Sequence, residues 1–146
     1  MSFVIPAVLP SSREDFEEKL ALFTQISSVD RIQIDVVDGR FAAPTSWPYN
    51  APMELQNMIA RGDMLPGLDR IAYEIDLMCF DVLHAVEEWL ALGASRLTFH
   101  AESATDLSRL LASARERHGH GHGLISFGCA LNTASSLTLI EPCIDQ

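Results

Sequence analysis

Three side chains in this sequence share both a useful chemistry and a repeated position: Asp35, Asp76 and His100. Each stands at or near the C-terminal end of a stretch that reads as a β-strand. The clearest is Arg31 to Phe41, where Ile32, Ile34 and Val36 alternate with Gln33 and Asp35 before a turn-forming Asp38-Gly39. The alternation places Gln33, Asp35 and Val37 on one face and the β-branched residues on the other. An inward carboxylate costs desolvation energy unless it has a partner. Asp35 therefore reads either as a hydrogen-bonded turn residue or as a functional one.

The elements around these residues follow from pattern. Ser2 to Leu9 reads as a short buried strand interrupted at Pro6. Ser11 or Ser12 opens a capped helix with a stripe of Phe16, Leu20, Phe23 and Ile26. An irregular segment holding Pro44, Trp47, Pro48, Tyr49 and Asn50 precedes a short helix from Met53 to Ala60. Ile71 to Met78 alternates as a strand and contains Asp76, followed by a helix capped by Asp81 and closed near Gly93. Arg96 to His100 is the next strand, and Ser103 or Thr105 caps the helix carrying Leu107, Leu110, Leu111 and Ala114. A fifth strand runs from Leu124 to Leu131, then a short helix near Ser136 to Ile140, with another strand expected where the sequence stops. Strand and helix alternate throughout, which predicts βαβ units and a parallel sheet. Polar groups recurring at strand ends are how a (β/α)8 barrel builds a site. The expectation is an α/β fold: a partial (β/α)8 TIM barrel of about five to six parallel strands, residues 1–146 forming one domain. No G-x-G-x-x-G or Walker loop supports a nucleotide-binding alternative.

Composition narrows the partners. A formal charge of −10 argues against nucleic acid or an anionic membrane surface. No apolar run reaches membrane-spanning length and no secretory leader is evident, so a cytoplasmic location is the default. Cys79, Cys129 and Cys143 are widely spaced and odd in number, which predicts reduced thiols.

Five segments occur in the order and spacing of ribulose-phosphate 3-epimerase: Ile5-Pro6-Ala7-Val8-Leu9, Gln33 to Phe41, Asp76-Leu77-Met78, Phe99-His100-Ala101-Glu102, and Gly128-Cys129-Ala130-Leu131-Asn132. The sequence resembles the N-terminal two thirds of that family's barrel. The resemblance implies proton transfer at C3 of ribulose 5-phosphate, giving xylulose 5-phosphate through an enediolate, with a divalent metal holding the developing charge. It makes Asp35 the first acid/base residue and a metal ligand, and places Met78 and His100 against a small phosphorylated sugar. It also exposes departures. Gln33 and Asp76 stand where the family has metal-binding histidines, Ala7 replaces a serine and Val37 a methionine. Asp35 and Asp76 as oxygen donors would favour Mg²⁺ over Zn²⁺ or Fe²⁺. The family's second acid/base Asp and its phosphate loops belong to later strands. The alternative is a catalytically degenerate barrel fragment that binds a sugar phosphate or associates with itself. An open sheet predicts self-association, and the sequence reads as part of a longer product.

Other residues have two accounts each. His118, His120 and His122 read as a solvated loop or a metal-binding tract. Trp47 and Tyr49 read as a loop anchor or a lid. Glu102 reads as the acidic start of a helix, and Arg40 as a surface ion pair or a phosphate contact.

Overall fold

The computed structural model describes residues 4–119 and 125–144. Five strands form one sheet: β1 (Ala7–Val8), β2 (Arg31–Val37), β3 (Ala72–Met78), β4 (Arg96–His100) and β5 (Ser126–Ala130). Four helices alternate with them: α1 (Arg13–Thr24), α2 (Pro52–Arg61), α3 (Val82–Ala91) and α4 (Leu107–His118). The strand order is β1-β2-β3-β4-β5 and every pair is parallel. Each connection thus steps to the next neighbour in the same direction. A doubly wound sheet reverses its order once; this one does not, which is the winding of a (β/α)8 barrel.

Period two gives the strands their two faces. Ile32, Ile34, Val36, Tyr73, Ile75, Leu77, Leu97 and Phe99 are buried together with Phe16, Leu20, Leu55, Val86 and Trp89 from the helices. Fully burying one such side chain stabilises by about 1.5–3 kcal/mol, so this face holds the sheet. The register stacks the other face in layers. Ala7, Gln33, Glu74, Arg96 and Ser126 align; above them come Asp35, Asp76, Thr98 and Gly128.

Local sequence explains several ends. The Ser12 hydroxyl accepts from the Asp15 N–H at 3.1 Å, and the Asp15 carboxylate accepts from the Ser11 N–H at 2.8 Å, a reciprocal cap for α1. Gly93 follows α3 at φ +97°, a left-handed conformation that favours glycine. Four expectations change. The first strand shrinks to two residues at the sheet edge, because Pro6 carries no N–H for a ladder. Ile26 lies beyond α1 and is exposed. Asp106, not Ser103 or Thr105, caps α4 through a bond from the Arg109 N–H, while Ala101–Ser103 forms a 3₁₀ turn. The short helix near Ser136 is two 3₁₀ turns, Leu137–Leu139 and Glu141–Cys143. His120, His122 and the predicted strand residue Leu124 lie outside the described residues, as do Ser2 and Asp145. No helix among the described residues is long and apolar enough to cross a membrane.

Candidate active site

The site is the upper, C-terminal end of β2, β3 and β4. Asp35 and Asp76 are register partners on neighbouring strands, whose backbones lie about 4.8 Å apart. His100 ends β4, one step higher than Thr98, which pairs with Asp76. Its Nε2 lies 3.1 Å from Asp76 Oδ1, at ion-pair distance but without hydrogen-bond alignment. Met78 ends β3 opposite Val37 and is half-buried. The structure therefore brings Asp35, Asp76 and His100 to one place, with Met78 at the same sheet end.

Each group is shaped by its neighbours. Gln33, two residues before Asp35 on the same face, donates from Nε2 to Asp35 Oδ1 at 2.7 Å. Burial pushes the Asp35 carboxyl above its ordinary value and the nearby Asp76 adds to that, against the pull of Gln33 and His100. The Asp76 carboxylate raises His100, outweighing the opposing effect of burial, and Glu102 and Asp35 reinforce it. Burial would raise Glu102 as well, yet bonds from the Ser135 side chain and the Asn132 N–H, with His100 nearby, hold it below its usual range. The Asn132 N–H reaches Glu102 Oε1 at 2.9 Å, tying the segment after β5 to the end of β4.

The mouth is assembled by Asp38. Its Oδ1 accepts from the N–H groups of Arg40 (2.8 Å) and Phe41 (2.6 Å), and its Oδ2 from Phe80 N–H at 3.0 Å. One carboxylate thus joins the loop after β2 to the loop after β3. Gly39 beside it sits at φ +76°, where an added Cβ would meet Thr45 Oγ1 at 2.1 Å. Phe41 packs against His100 with ring centroids 5.0 Å apart and against Phe80 at 5.7 Å. Arg40 lies over the Phe80 ring at 5.4 Å, a cation–π contact in place of the expected surface ion pair. Trp47 is no lid: it is fully buried, stacked on Phe16 at 4.6 Å, with its Nε1–H on Glu54.

The sequence pattern gives Glu102 as the start of a helix, Asp38 as a turn residue and Phe41 no role of its own in the site. The one available signal was the two-residue spacing from His100 to Glu102. The partners of Asp38 are too far along the chain to show a pattern.

A divalent metal requires several ligands converging on one point. Gln33 turns an N–H toward Asp35, and Asp76 Oδ1 faces His100. Among the described residues no group of three or more His, Cys, Asp or Glu side chains is placed to hold a metal ion. The expected Asp35 and Asp76 pair, with Gln33 beside it, thus does not fit a metal site. His118 ends α4, and the other two histidines of its tract lie outside the described residues.

Comparison with known proteins follows the same line. The model for the ribulose-phosphate 3 epimerase family matches residues 3–146. No curated protein matches the chain.

Proposed function

The chain belongs to the ribulose-phosphate 3-epimerase family, and from that premise we propose that it binds a small phosphorylated sugar and moves a proton at the carbon beside its carbonyl. Asp35 is the base in this reading. The C3–H bond of ribulose 5-phosphate breaks, the proton passes to the Asp35 carboxylate, and the electron pair moves toward the C2 carbonyl oxygen as the enediolate forms. The single observation that supports it most is the setting of Asp35: half-buried at a strand end, raised by burial, with one oxygen held by Gln33. A carboxylate nearer neutrality is a better match to proton abstraction than an exposed one.

Met78 and His100 contact the substrate in this reading, Met78 as an apolar wall and His100 as a polar one. Return of the proton to the opposite face needs a second acid, so Asp35 alone accounts for exchange and only half of an epimerisation. Residues 1–146 then act as a single domain, corresponding to the first two thirds of a barrel in an enzyme of the cytoplasm. The test is deuterium incorporation at C3 of ribulose 5-phosphate in deuterated water, followed by proton NMR. Incorporation above the protein-free rate supports the reading; none, with or without Mg²⁺, Mn²⁺, Zn²⁺ or Fe²⁺, refutes it.

A second reading has its own support. Gln33 and Asp76 stand where metal-binding histidines are expected, which suits a barrel that binds a sugar phosphate, or a second copy of itself, without turnover. Among the described residues β1 and β5 each pair on one side only, and unpaired edges invite association. Sedimentation distinguishes self-association from a compact monomer.

A further inference from the structure

We propose that this site works without a divalent cation, and that the His100 imidazole faces the developing oxyanion where a metal would otherwise stand. The inference rests on the proton-transfer reading above and deepens it.

Three geometric observations carry it. First, the groups at the positions of the family's two histidines face side chains of the site: Gln33 Nε2 donates a hydrogen bond to Asp35, and Asp76 Oδ1 lies 3.1 Å from His100 Nε2. Second, both ring nitrogens of His100 face carboxylate oxygens, Nε2 at 3.1 Å from Asp76 Oδ1 and Nδ1 at 3.8 Å from Glu102 Oε2. Carboxylates accept and do not donate when ionised, so two flanking carboxylates suit a ring with an N–H on each nitrogen. Third, the buried side-chain atoms without a hydrogen-bond partner among the described residues are Asp76 Oδ1, His100 Nδ1 and Nε2, Glu102 Oε2 and Ser103 Oγ. Those of Asp76, His100 and Glu102 form one cluster at the end of β3 and β4. Such groups are costly to leave unpaired, and a polar ligand seated there would satisfy them.

The charged and aromatic groups facing His100 are Asp35 from β2, Asp76 from β3, Glu102 from the turn after β4, and the Phe41 ring. His100 is only 7% exposed, so water competes little for its N–H. The step balances with the chain's own groups. As the C3 proton passes to Asp35 and the electron pair reaches the carbonyl oxygen, the Nε2–H of His100, which holds no hydrogen bond of its own, donates to that oxygen. A positioned donor of this kind stabilises an oxyanion by direct hydrogen bonding.

Two measurements on the full chain test this. C3 exchange of ribulose 5-phosphate is followed in EDTA after exhaustive dialysis, for wild type and for His100→Gln. The proposal expects exchange in EDTA equal to that with added Mg²⁺ or Mn²⁺, and a loss of about 10²–10³-fold in His100→Gln. Exchange that appears only on adding a divalent cation overturns it. Because His100 is buried and its replacement can fail to fold, Mn²⁺ binding to wild type is measured separately by electron paramagnetic resonance. Absence of a stoichiometric Mn²⁺ site supports the proposal; one such site, lost in Asp76→Asn, overturns it. If no exchange occurs under any condition, the proton-transfer reading fails by that result, while the Mn²⁺ titration still decides whether the site takes a cation.

Discussion

The two faces of the sheet are built from the same strands and answer to different demands. On the helix-covered face Ile34, Ile75, Leu77 and Phe99 are wholly buried. The side chains there are predominantly apolar, the Tyr73 hydroxyl donating to the Pro66 carbonyl, and stability grows with the area removed from water. On the opposite face the residues one position away are Gln33, Asp35, Glu74, Asp76 and His100. This second face carries ion pairs and orphaned polar atoms, including Glu74 between Arg31 (3.0 Å) and Arg96 (3.9 Å) in the lower layer. A sheet optimised for stability alone would not spend this many buried polar groups. The contrast teaches that one face holds the fold while the other holds a site at its top, and that the two can be perturbed separately.

Stability measurements can break or sharpen that contrast. Ile75→Ala on the apolar face should lower the free energy of unfolding by about 2–5 kcal/mol in urea titration. A smaller loss than that of any polar-face substitution would erase the distinction. Asp38→Ala, which strips the acceptor from three backbone N–H groups at the mouth, should cost about 1–3 kcal/mol. It should also speed hydrogen exchange at Arg40, Phe41 and Phe80, seen by NMR. Glu74→Gln leaves two half-exposed arginines in water, and should cost about 1 kcal/mol or less.

The pH dependence has a sign fixed by the site. Asp35 is raised on folding, so over the window above the ordinary carboxyl value the native state holds more protons than the unfolded one. Stability from this group falls as pH rises through that window. His100 is also raised, so its contribution is complete below about pH 6.5 and is lost as pH climbs through its folded value. Glu102 is lowered and acts at the other end, its contribution disappearing as pH falls through its folded value. Thermal melts across pH should show the alkaline-side loss shrink in His100→Gln. An unchanged profile in that variant would remove His100 from the account.

Much of this arrangement was legible in the sequence because period two is hard to disguise. Ile32, Ile34 and Val36 against Gln33 and Asp35 defined β2 and its faces, and the same pattern defined β3. The recurrence of Asp35, Asp76 and His100 at strand ends then located the site. What was not legible depended on contacts between distant segments. Asp38 meets Phe80 N–H 42 positions away, and nothing local announces it. The start of α4 is ambiguous in the sequence because Ser103, Thr105 and Asp106 are all competent caps, and the 3₁₀ turn at Ala101–Ser103 leaves that role to Asp106. Gln33 stands where the resemblance places a metal-binding histidine. Its hydrogen bond to Asp35 gives it a different task, positioning the carboxylate, which residue type alone did not indicate.

The proposed base is the Asp35 carboxylate, at the mouth of this sheet beside Asp76 and His100. The direct measurement compares C3 deuterium incorporation into ribulose 5-phosphate by wild type and Asp35→Asn, with circular dichroism confirming that both are folded. The account predicts incorporation by wild type and the protein-free rate for the folded Asp35→Asn variant. Equal incorporation by the two proteins would contradict it.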